Sequence, residues 1–596
     1  MFQSFEVTSR PEQGPPRLAR LRAEMKAREL EGFLVPRADA HQGEYVADHD
    51  ARLAWLTGFT GSAGFCAALQ DVAGVFVDGR YRTQVKAQVA PDFTPVPWPD
   101  TNLPEWLIRH LPDGGRVGFD PWLHTIAEVE RWTDAFSGTD ISMVQSENLV
   151  DAIWTDQPPA PMQPVKAHPI EFAGETADSK LTRLAEELRS AGHRAALITL
   201  PDSIMWLLNI RGSDIPRNPV AHGFAVLHDD ARVDLFMQAD KLRAVRDHLD
   251  DSVCILPPDK FLESIAALHG PVRVEKSSAP QKIADVLGES MVFGDDPCSL
   301  PKARKNRAEI DGSAAAHLRD GAAMVELLAW LDAQPTGSLT EIKVVKKLEE
   351  IRRRDNALQD ISFDTISGTG PNGAIMHYRV SEETDSVLED GHLLVLDSGG
   401  QYLDGTTDIT RTIAIGPPGA QERAAFTRVL QGMIAMSRLR WPKGLAGRDI
   451  EAIGRMPLWL AGQDFNHGLG HGVGAYLSVH EGPQRLSRMS TVPLEPGMIL
   501  SNEPGYYREG AFGIRIENLL VVEDASTPPD GDAEREMLCW KTLTFVPIDR
   551  RLIDTDMLSP DDRKWLNNYH CDVREKIAPR VGKSAQMWLD AATAPI

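Results

Sequence analysis

The sequence predicts a multidomain α/β chain: two related α/β domains in tandem, then a C-terminal α+β domain. Three observations predict it. A short motif recurs at a fixed offset in the first half of the 596 residues. A five-proline stretch separates the two copies. From residue 361 onward the pattern changes to short β-type runs broken by Gly, Asp and Asn. A chain of this length exceeds one core and implies roughly three or four domains.

The repeat comes first. "AWLTGFTGSA" (54–63) resembles "MWLLNIRGSD" (205–214): Trp55, Leu56, Gly61 and Ser62 recur as Trp206, Leu207, Gly212 and Ser213, each 151 residues later. Upstream, "GFLVPRAD" (32–39) resembles "ALITLPD" (196–202), and each apolar run reads as a buried strand. The spacer after the Asp is 12 residues longer in the first copy. Between the copies, "QPPAPMQPVKAHP" (157–169) reads as a stiff linker, because proline at this density blocks both helix and central strand. A helical pattern follows "PCSLPKARKNRAEIDG" (297–312), and a second covers "SLTEIKVVKKLEEIRRR" (338–354), where Ser338 and Glu341 form a capping-box pattern. "HLLVLDSGGQYLDGTTDITRTIAI" (392–415) and "MILSNEPGYYREGAFGIRIENLLVVE" (498–523) each read as a hairpin. The tail from about 555 reads as helical, packed on the body or on a partner. The expected divisions are 1–156, 157–305 and 306–596, the last including that tail.

Bulk chemistry excludes several classes. A net charge of −23, from 63 basic and 86 acidic residues, argues against nucleic-acid or anionic-membrane partners. The five cysteines are scattered without a CxxC pair, which supports neither a zinc ribbon nor a disulfide framework and fits a reducing, cytoplasmic setting. The first 30 residues hold no apolar signal core, and no run of 18 apolar residues suggests a membrane span.

Acids sit where strands should bury apolar side chains. Asp397 follows "LLVL", and Asp408 lies eleven residues later on the return strand, within a residue or two of direct pairing. Glu503 and Glu517 are fourteen apart, centred on Gly510. Buried carboxylates that repel one another stay ionised only beside a compensating cation. Four carboxylates carry −4 and two divalent metals carry +4. One imidazole completes the ligand set of a two-metal hydrolase.

"HGLGHGVG" (467–474) supplies that imidazole. Four glycines in eight residues argue against a helix. They let backbone pass close to a crowded centre and adopt positive φ while His471 projects inward. An acid at a strand end is usually a turn residue, and a lone His is usually a hydrogen-bonded core group. The ordered set of two Asp, one Gly-framed His and two Glu is what points to a metal centre. Mostly oxygen donors favour two Mn²⁺ ions, with Zn²⁺ and Co²⁺ as alternatives.

Longer motifs then carry a resemblance. "DAHQGEYV" and "GFTGSAGF", "WLLNIRGSDIPRNPV", and "MHYRV", "LDSGGQYLDGTTDITRT", "HGLGHGVGAYLSVHEGP", "SNEPGYY" and "GIRIENL" span nearly the whole chain. Together they resemble the pita-bread metallopeptidases, and within them the three-domain, cytosolic-type Xaa-Pro aminopeptidases. The resemblance implies creatinase-like N-terminal domains, a pita-bread catalytic domain and a homodimer. It implies metal ligands Asp397, Asp408, His471, Glu503 and Glu517, with Asp408 and Glu517 bridging, and functional histidines at His377, His467 and His480.

The expected reaction is hydrolysis of the bond between residue one of a peptide and a proline at position two. A water or hydroxide held between the metals attacks, and Glu503 accepts its proton. His377 and His480 would stabilise the oxyanion or assist the leaving nitrogen, and His467 would orient substrate. The competing readings are a prolidase acting on Xaa-Pro dipeptides and a non-catalytic peptide-binding protein of the same fold.

Overall fold

Gly32–Pro36 forms a strand whose first four residues are buried, as an apolar run flanked by neighbours on both sides requires. In this computed structural model, which describes residues 1–532 and 534–596, it is the first of six strands in one sheet. In chain order these are Gly32–Pro36, Phe65–Leu69, Ala73–Val77, Thr94–Pro97, Gly115–Phe119 and Ile141–Gln145. In space they run fourth, third, second, first, fifth, sixth.

A second sheet contains Ala195–Ile198, Phe224–His228, Val233–Phe236, Val253–Leu256, Val272–Val274 and Met291–Phe293, in the same spatial order. The pairing senses also match. The first strand is antiparallel to the second and parallel to the fifth in both sheets. Trp55 and Trp206 lie on equivalent helices, Arg52–Thr57 and Pro201–Leu207. The repeat read from a few side chains is thus a repeat of connectivity. Both sheets belong to one unit, Thr8–Ile170 with Glu175–Ser299.

The other unit comprises Met1–Val7, Glu171–Gly174 and Leu300–Ile596. Its 26-residue helix Arg307–Asp332 starts at a capping box, with Asn306 Oδ1 accepting from Glu309 N and Glu309 Oε2 from Asn306 N. The next helix, Glu341–Arg352, corrects the capping box expected at Ser338 and Glu341. Its cap is Thr340, and the Ser338 hydroxyl donates to Pro335 O at 2.6 Å. Glu341 turns inward instead, accepting from Thr369 N at 2.7 Å and Ser386 N at 3.1 Å. Two buried amides outcompete one exposed helix terminus for the carboxylate.

The predicted hairpins contribute the strands Leu393–Ser398, Ile409–Ala414, Ile499–Asn502 and Asn518–Asp524, which bear the candidate site. The tail folds as helices Pro560–Ile577 and Lys583–Ala592 and packs on this unit's core through Tyr569, Val573 and Leu589. Among the described residues no helix is long and apolar enough to cross a membrane, and all five cysteines are free thiols.

Docking of the tail has a pH signature. His570 Nε2 accepts from Ile548 N at 3.1 Å, which requires the neutral ring. Burial, with Arg411, Arg550 and Arg574 nearby, holds its pKa down to about 3. An unfolded histidine titrates near 6.5, so below that pH the unfolded chain binds a proton that the folded chain refuses. This unit's stability should therefore fall as pH drops from about 6.5 toward 3, by at most about 1.4 kcal/mol per pH unit from this group. Urea unfolding of wild type and His570→Gln across that range checks it. The variant should show the shallower slope.

Candidate metal centre

The first hairpin sets its own register. Leu393–Ser398 pairs antiparallel with Ile409–Ala414, placing Asp397 opposite Thr410. The ladder continues past a kink, with Gln401 opposite Thr406 and Tyr402 opposite Gly405. Asp408 is thus two residues from direct pairing with Asp397. In the second hairpin Asn502 faces Asn518 and Gly505 faces Arg515. That shared register places Glu503 opposite Glu517, in the gap between the two ladders. The turn passes through Gly510 at φ +74°, a left-handed conformation that favours glycine. Thr410 joins the hairpins, its Oγ1 donating to Glu517 Oε2 at 2.8 Å and its carbonyl accepting from Glu517 N at 3.1 Å.

His471 enters from the strand Gly470–Gly472. Its amide donates to Ser501 Oγ at 2.9 Å, and that hydroxyl donates to Glu503 Oε1 at 3.1 Å. The ring's Nδ1 lies 2.9 Å from Gly472 O. A carbonyl only accepts, so Nδ1 carries the proton and Nε2 directs its lone pair inward. Nε2 stands 3.5 Å from Asp408 Oδ2 and 3.4 Å from Glu503 Oε1. A lone pair facing two carboxylate oxygens is repulsive unless a cation lies among them.

Glycine at these positions answers to space. Gly468, Gly470, Gly472 and Gly474 do not adopt positive φ, contrary to the expectation from sequence. A Cβ on Gly470 would lie 1.9 Å from Ser501 O, and one on Gly472 would lie 2.5 Å from Glu481 O. Gly470→Ala should therefore force the strand away from Ser501, cost about 1–3 kcal/mol and loosen the His471 ring. Thermal unfolding and Mn²⁺ titration of that variant check it.

Three overlapping sets have donor atoms within 4.8 Å of one another: Asp397, Asp408 and Glu517; His471, Glu503 and Glu517; and Asp408, His471 and His480. Asp408, His471 and Glu517 each belong to two sets. Asp397 Oδ1, Asp408 Oδ1 and Glu517 Oε1 are buried without a hydrogen-bond donor. Such groups cost several kcal/mol unless a cation takes their place in the balance. Burial first, and neighbouring carboxylates second, push Asp408 and Glu517 well above the usual carboxylate range, and burial pushes Glu503 up to about 7. Three orphaned anionic oxygens and an inward-facing imidazole nitrogen fit a pair of divalent cations.

One cation of the chain's own was missed in the sequence. Arg515 Nη2 pairs with Asp397 Oδ2 at 2.6 Å, and Nη1 donates to Tyr507 OH at 2.7 Å. Tyr507 OH lies 2.9 Å from His467 Nε2, while His467 Nδ1 lies 2.7 Å from Gly468 O. The order of donation is therefore Arg515 to Tyr507 to His467 Nε2. The signal was present: Arg515 is two residues before Glu517 on one extended segment and shares its face. With Arg515 included the ionised site carries −3, not −4.

The remaining histidines flank this centre. His480 packs edge-on against His471 with centroids 4.3 Å apart. Its neighbour Glu481 is buried between Lys302 Nζ, at 3.0 Å, and Lys305. His377 follows Met376, whose carbonyl accepts from Arg515 Nη1 at 3.3 Å.

Comparisons with known proteins give the family. Residues 312–524 match the profile of metallopeptidase family M24, and 536–596 match the C-terminal region of peptidase M24. Residues 17–153 and 156–309 each match a creatinase/prolidase N-terminal domain. The probable Xaa-Pro aminopeptidase P of Coccidioides posadasii (strain RMSCC 757 / Silveira) is 39% identical over 608 residues, covering 97% of this chain and 99% of that protein. Aminopeptidase P2 of Arabidopsis thaliana is 38% identical over 613 residues, covering 95% and 86%. The crystal structure of X-prolyl aminopeptidase from Caenorhabditis elegans, described as a cytosolic enzyme with a di-nuclear active site, superposes with a TM-score of 0.94 at 33% identity, covering 98% of this chain and 100% of that one. Prolidase from Pyrococcus horikoshii OT3 covers only 62% of this chain, at 25% identity and a TM-score of 0.50. With both N-terminal modules, the pita-bread domain and its C-terminal region in one order, the chain belongs to metallopeptidase family M24, in its Xaa-Pro aminopeptidase P branch.

Proposed function

We propose that the protein hydrolyses the N-terminal Xaa-Pro bond of peptides at a dinuclear metal centre. The observation that carries the reading is the trio of orphaned buried carboxylate oxygens beside the inward Nε2 of His471. Asp397, Asp408, His471, Glu503 and Glu517 would hold the two ions. When bound, two dications supply Lewis-acid polarisation of the scissile carbonyl and lower the pKa of a water at the centre. Two dications against −3 leave a net +1, which favours an anionic nucleophile. Oxygen-rich donors favour Mn²⁺, with Zn²⁺ and Co²⁺ as alternatives.

The chain's own groups do the rest. Ser501 donates to Glu503 Oε1 and leaves Oε2 to take the proton of the attacking water. His377 and His480 stabilise the oxyanion or protonate the leaving prolyl nitrogen, and His467, held by Tyr507, orients substrate. A Xaa-Pro bond has no N–H, so a site that does not require that donor can select it. The proposal includes domain divisions at 156/157 and 305/306, a cytoplasmic location and a homodimer. Exposed Met456, Trp459, Leu460 and Met489 on the catalytic unit support the last.

Assay of Arg-Pro-Pro against Gly-Pro tests the reading. Arginine should be released from the tripeptide, chelator should abolish release, and Mn²⁺ should restore it. Cleavage of Gly-Pro alone would make the protein a prolidase. No hydrolysis of any Xaa-Pro peptide by metal-supplemented protein would make it a binding protein.

A further inference from the structure

The "DAHQGEYV" segment takes no part in the reaction above, yet it carries a second cluster of ligand-type atoms. Asp39 is 1% exposed. Its Oδ1 accepts from His41 N at 2.9 Å and Gly43 N at 3.3 Å, which turns Oδ2 toward His222 Nε2, 3.2 Å away. Neither of those facing atoms makes a hydrogen bond, although both are buried. Asp50 completes the group: one oxygen of Asp39, one of Asp50 and a ring nitrogen of His222 lie within 4.8 Å of one another.

Each ligand is also held from behind. Asp50 Oδ1 takes Arg52 Nη1 at 2.9 Å. The His222 amide donates to Asp214 Oδ2 at 2.8 Å, and Asp214 is in turn neutralised by Lys241 Nζ at 2.5 Å. His41 packs against the His222 ring with centroids 4.7 Å apart, its Nδ1 toward Thr199 O at 3.2 Å. Outer partners of this kind orient metal ligands and leave one donor atom of each directed inward.

Distance and charge favour a metal over a simple ion pair. In a tetrahedral shell with bonds of about 2.0–2.2 Å, ligand atoms stand about 3.3–3.6 Å apart. The Asp39–His222 separation of 3.2 Å is about 0.1 Å short of that spacing and lacks hydrogen-bond alignment. Asp39, Asp50 and Asp214, with Asp151 paired to Arg52 and Lys241 paired to Asp214, sum to −2 with His222 neutral. One dication balances that charge, whereas a protonated His222 leaves −1.

We propose that Asp39, Asp50 and His222 form a binding site for a divalent transition-metal cation, separate from the catalytic centre. Asp39 and Asp50 follow the first strand of the first sheet, and His222 lies two residues before the strand Phe224–His228 of the second. The ion therefore ties the two repeats together within their common unit. The spacer after Asp39, 12 residues longer in the first repeat, supplies Asp50.

Metal content tests this without reference to turnover. Full-length wild type, Asp39→Asn and Asp50→Asn are stripped, reloaded with Mn²⁺ or, in parallel, Zn²⁺, desalted, and ions per chain counted by plasma mass spectrometry. Wild type should hold one ion more than each variant in at least one series, with Arg-Pro-Pro hydrolysis retained. Asp408→Asn, which disturbs the catalytic ions, should keep the ion that Asp39→Asn loses. Asp50 is less buried than Asp39, so its variant carries the test if Asp39→Asn fails to fold. Equal counts in wild type and folded variants in both series would overturn the site and leave Asp39 and His222 as an ion pair.

Discussion

Asp408→Asn should remove at least one catalytic cation and lower kcat/KM on Arg-Pro-Pro by about a thousandfold or more. Asp408 belongs to two of the three overlapping donor sets, so its loss affects both halves of the centre. Asparagine keeps the shape but removes a charge, and its NH₂ cannot ligate. A second consequence has the opposite sign. In stripped protein burial first, then Glu517, Asp397 and Glu503, push the Asp408 pKa well up, so the folded chain holds it as a carboxylic acid that the unfolded chain would ionise. A neutral amide there should stabilise the metal-free chain by more than about 1 kcal/mol while destabilising the loaded one. Metal analysis, peptide assay and thermal unfolding with and without chelator read all three effects. Wild-type turnover with a full complement of ions would refute the role assigned to Asp408.

Arg411→Met should cost about 3–5 kcal/mol of stability, the largest structural effect expected in this unit. The Arg411 side chain is among the largest that are fully buried. Its guanidinium donates to the carbonyls of Thr410, Glu517, Val546 and Pro547, to Asn518 Oδ1 and to Tyr569 OH. These acceptors come from both hairpins, the chain beyond them and the first tail helix. Methionine fills the volume but withdraws a donor from six acceptors; Thr410 O keeps Glu517 N and Val546 O keeps Tyr569 OH, and each acceptor left buried without a partner costs about 1–3 kcal/mol before relaxation. Denaturant unfolding should show a lower midpoint, and protease should release the tail earlier. Arg411→Lys should recover little, because one ammonium cannot reach so many acceptors in a plane. A midpoint within error of wild type would contradict this account of the hairpin–tail junction.

Much of the architecture was legible because its signals are local. A run such as "LLVL" ending in Asp397, and Glu503 and Glu517 spaced evenly about Gly510, are what hairpin geometry produces when one face holds charge. The repeat was legible because Trp206 occupies on its helix the place that Trp55 holds in the first copy. Arg515, Tyr507 and Arg411 were not read. Their importance comes from partners over a hundred residues away in several cases, as with Asp397 and Arg515, and no local pattern reports such pairing. The glycines of "HGLGHGVG" were read as metal-site glycines for a partly mistaken reason. Spacing reveals that backbone must pass close, but only the positions of Ser501 and Glu481 reveal that room, not φ, is limiting. Ser338 failed as a cap because Glu341 has better partners in Thr369 and Ser386, distant in sequence.

Anomalous diffraction at the manganese edge, from crystals of the full chain grown with Mn²⁺, tests the central claim most directly. Two peaks among Asp397, Asp408, His471, Glu503 and Glu517 are the result expected. No anomalous density among these five side chains, with the carboxylates turned onto protein donors, would contradict it.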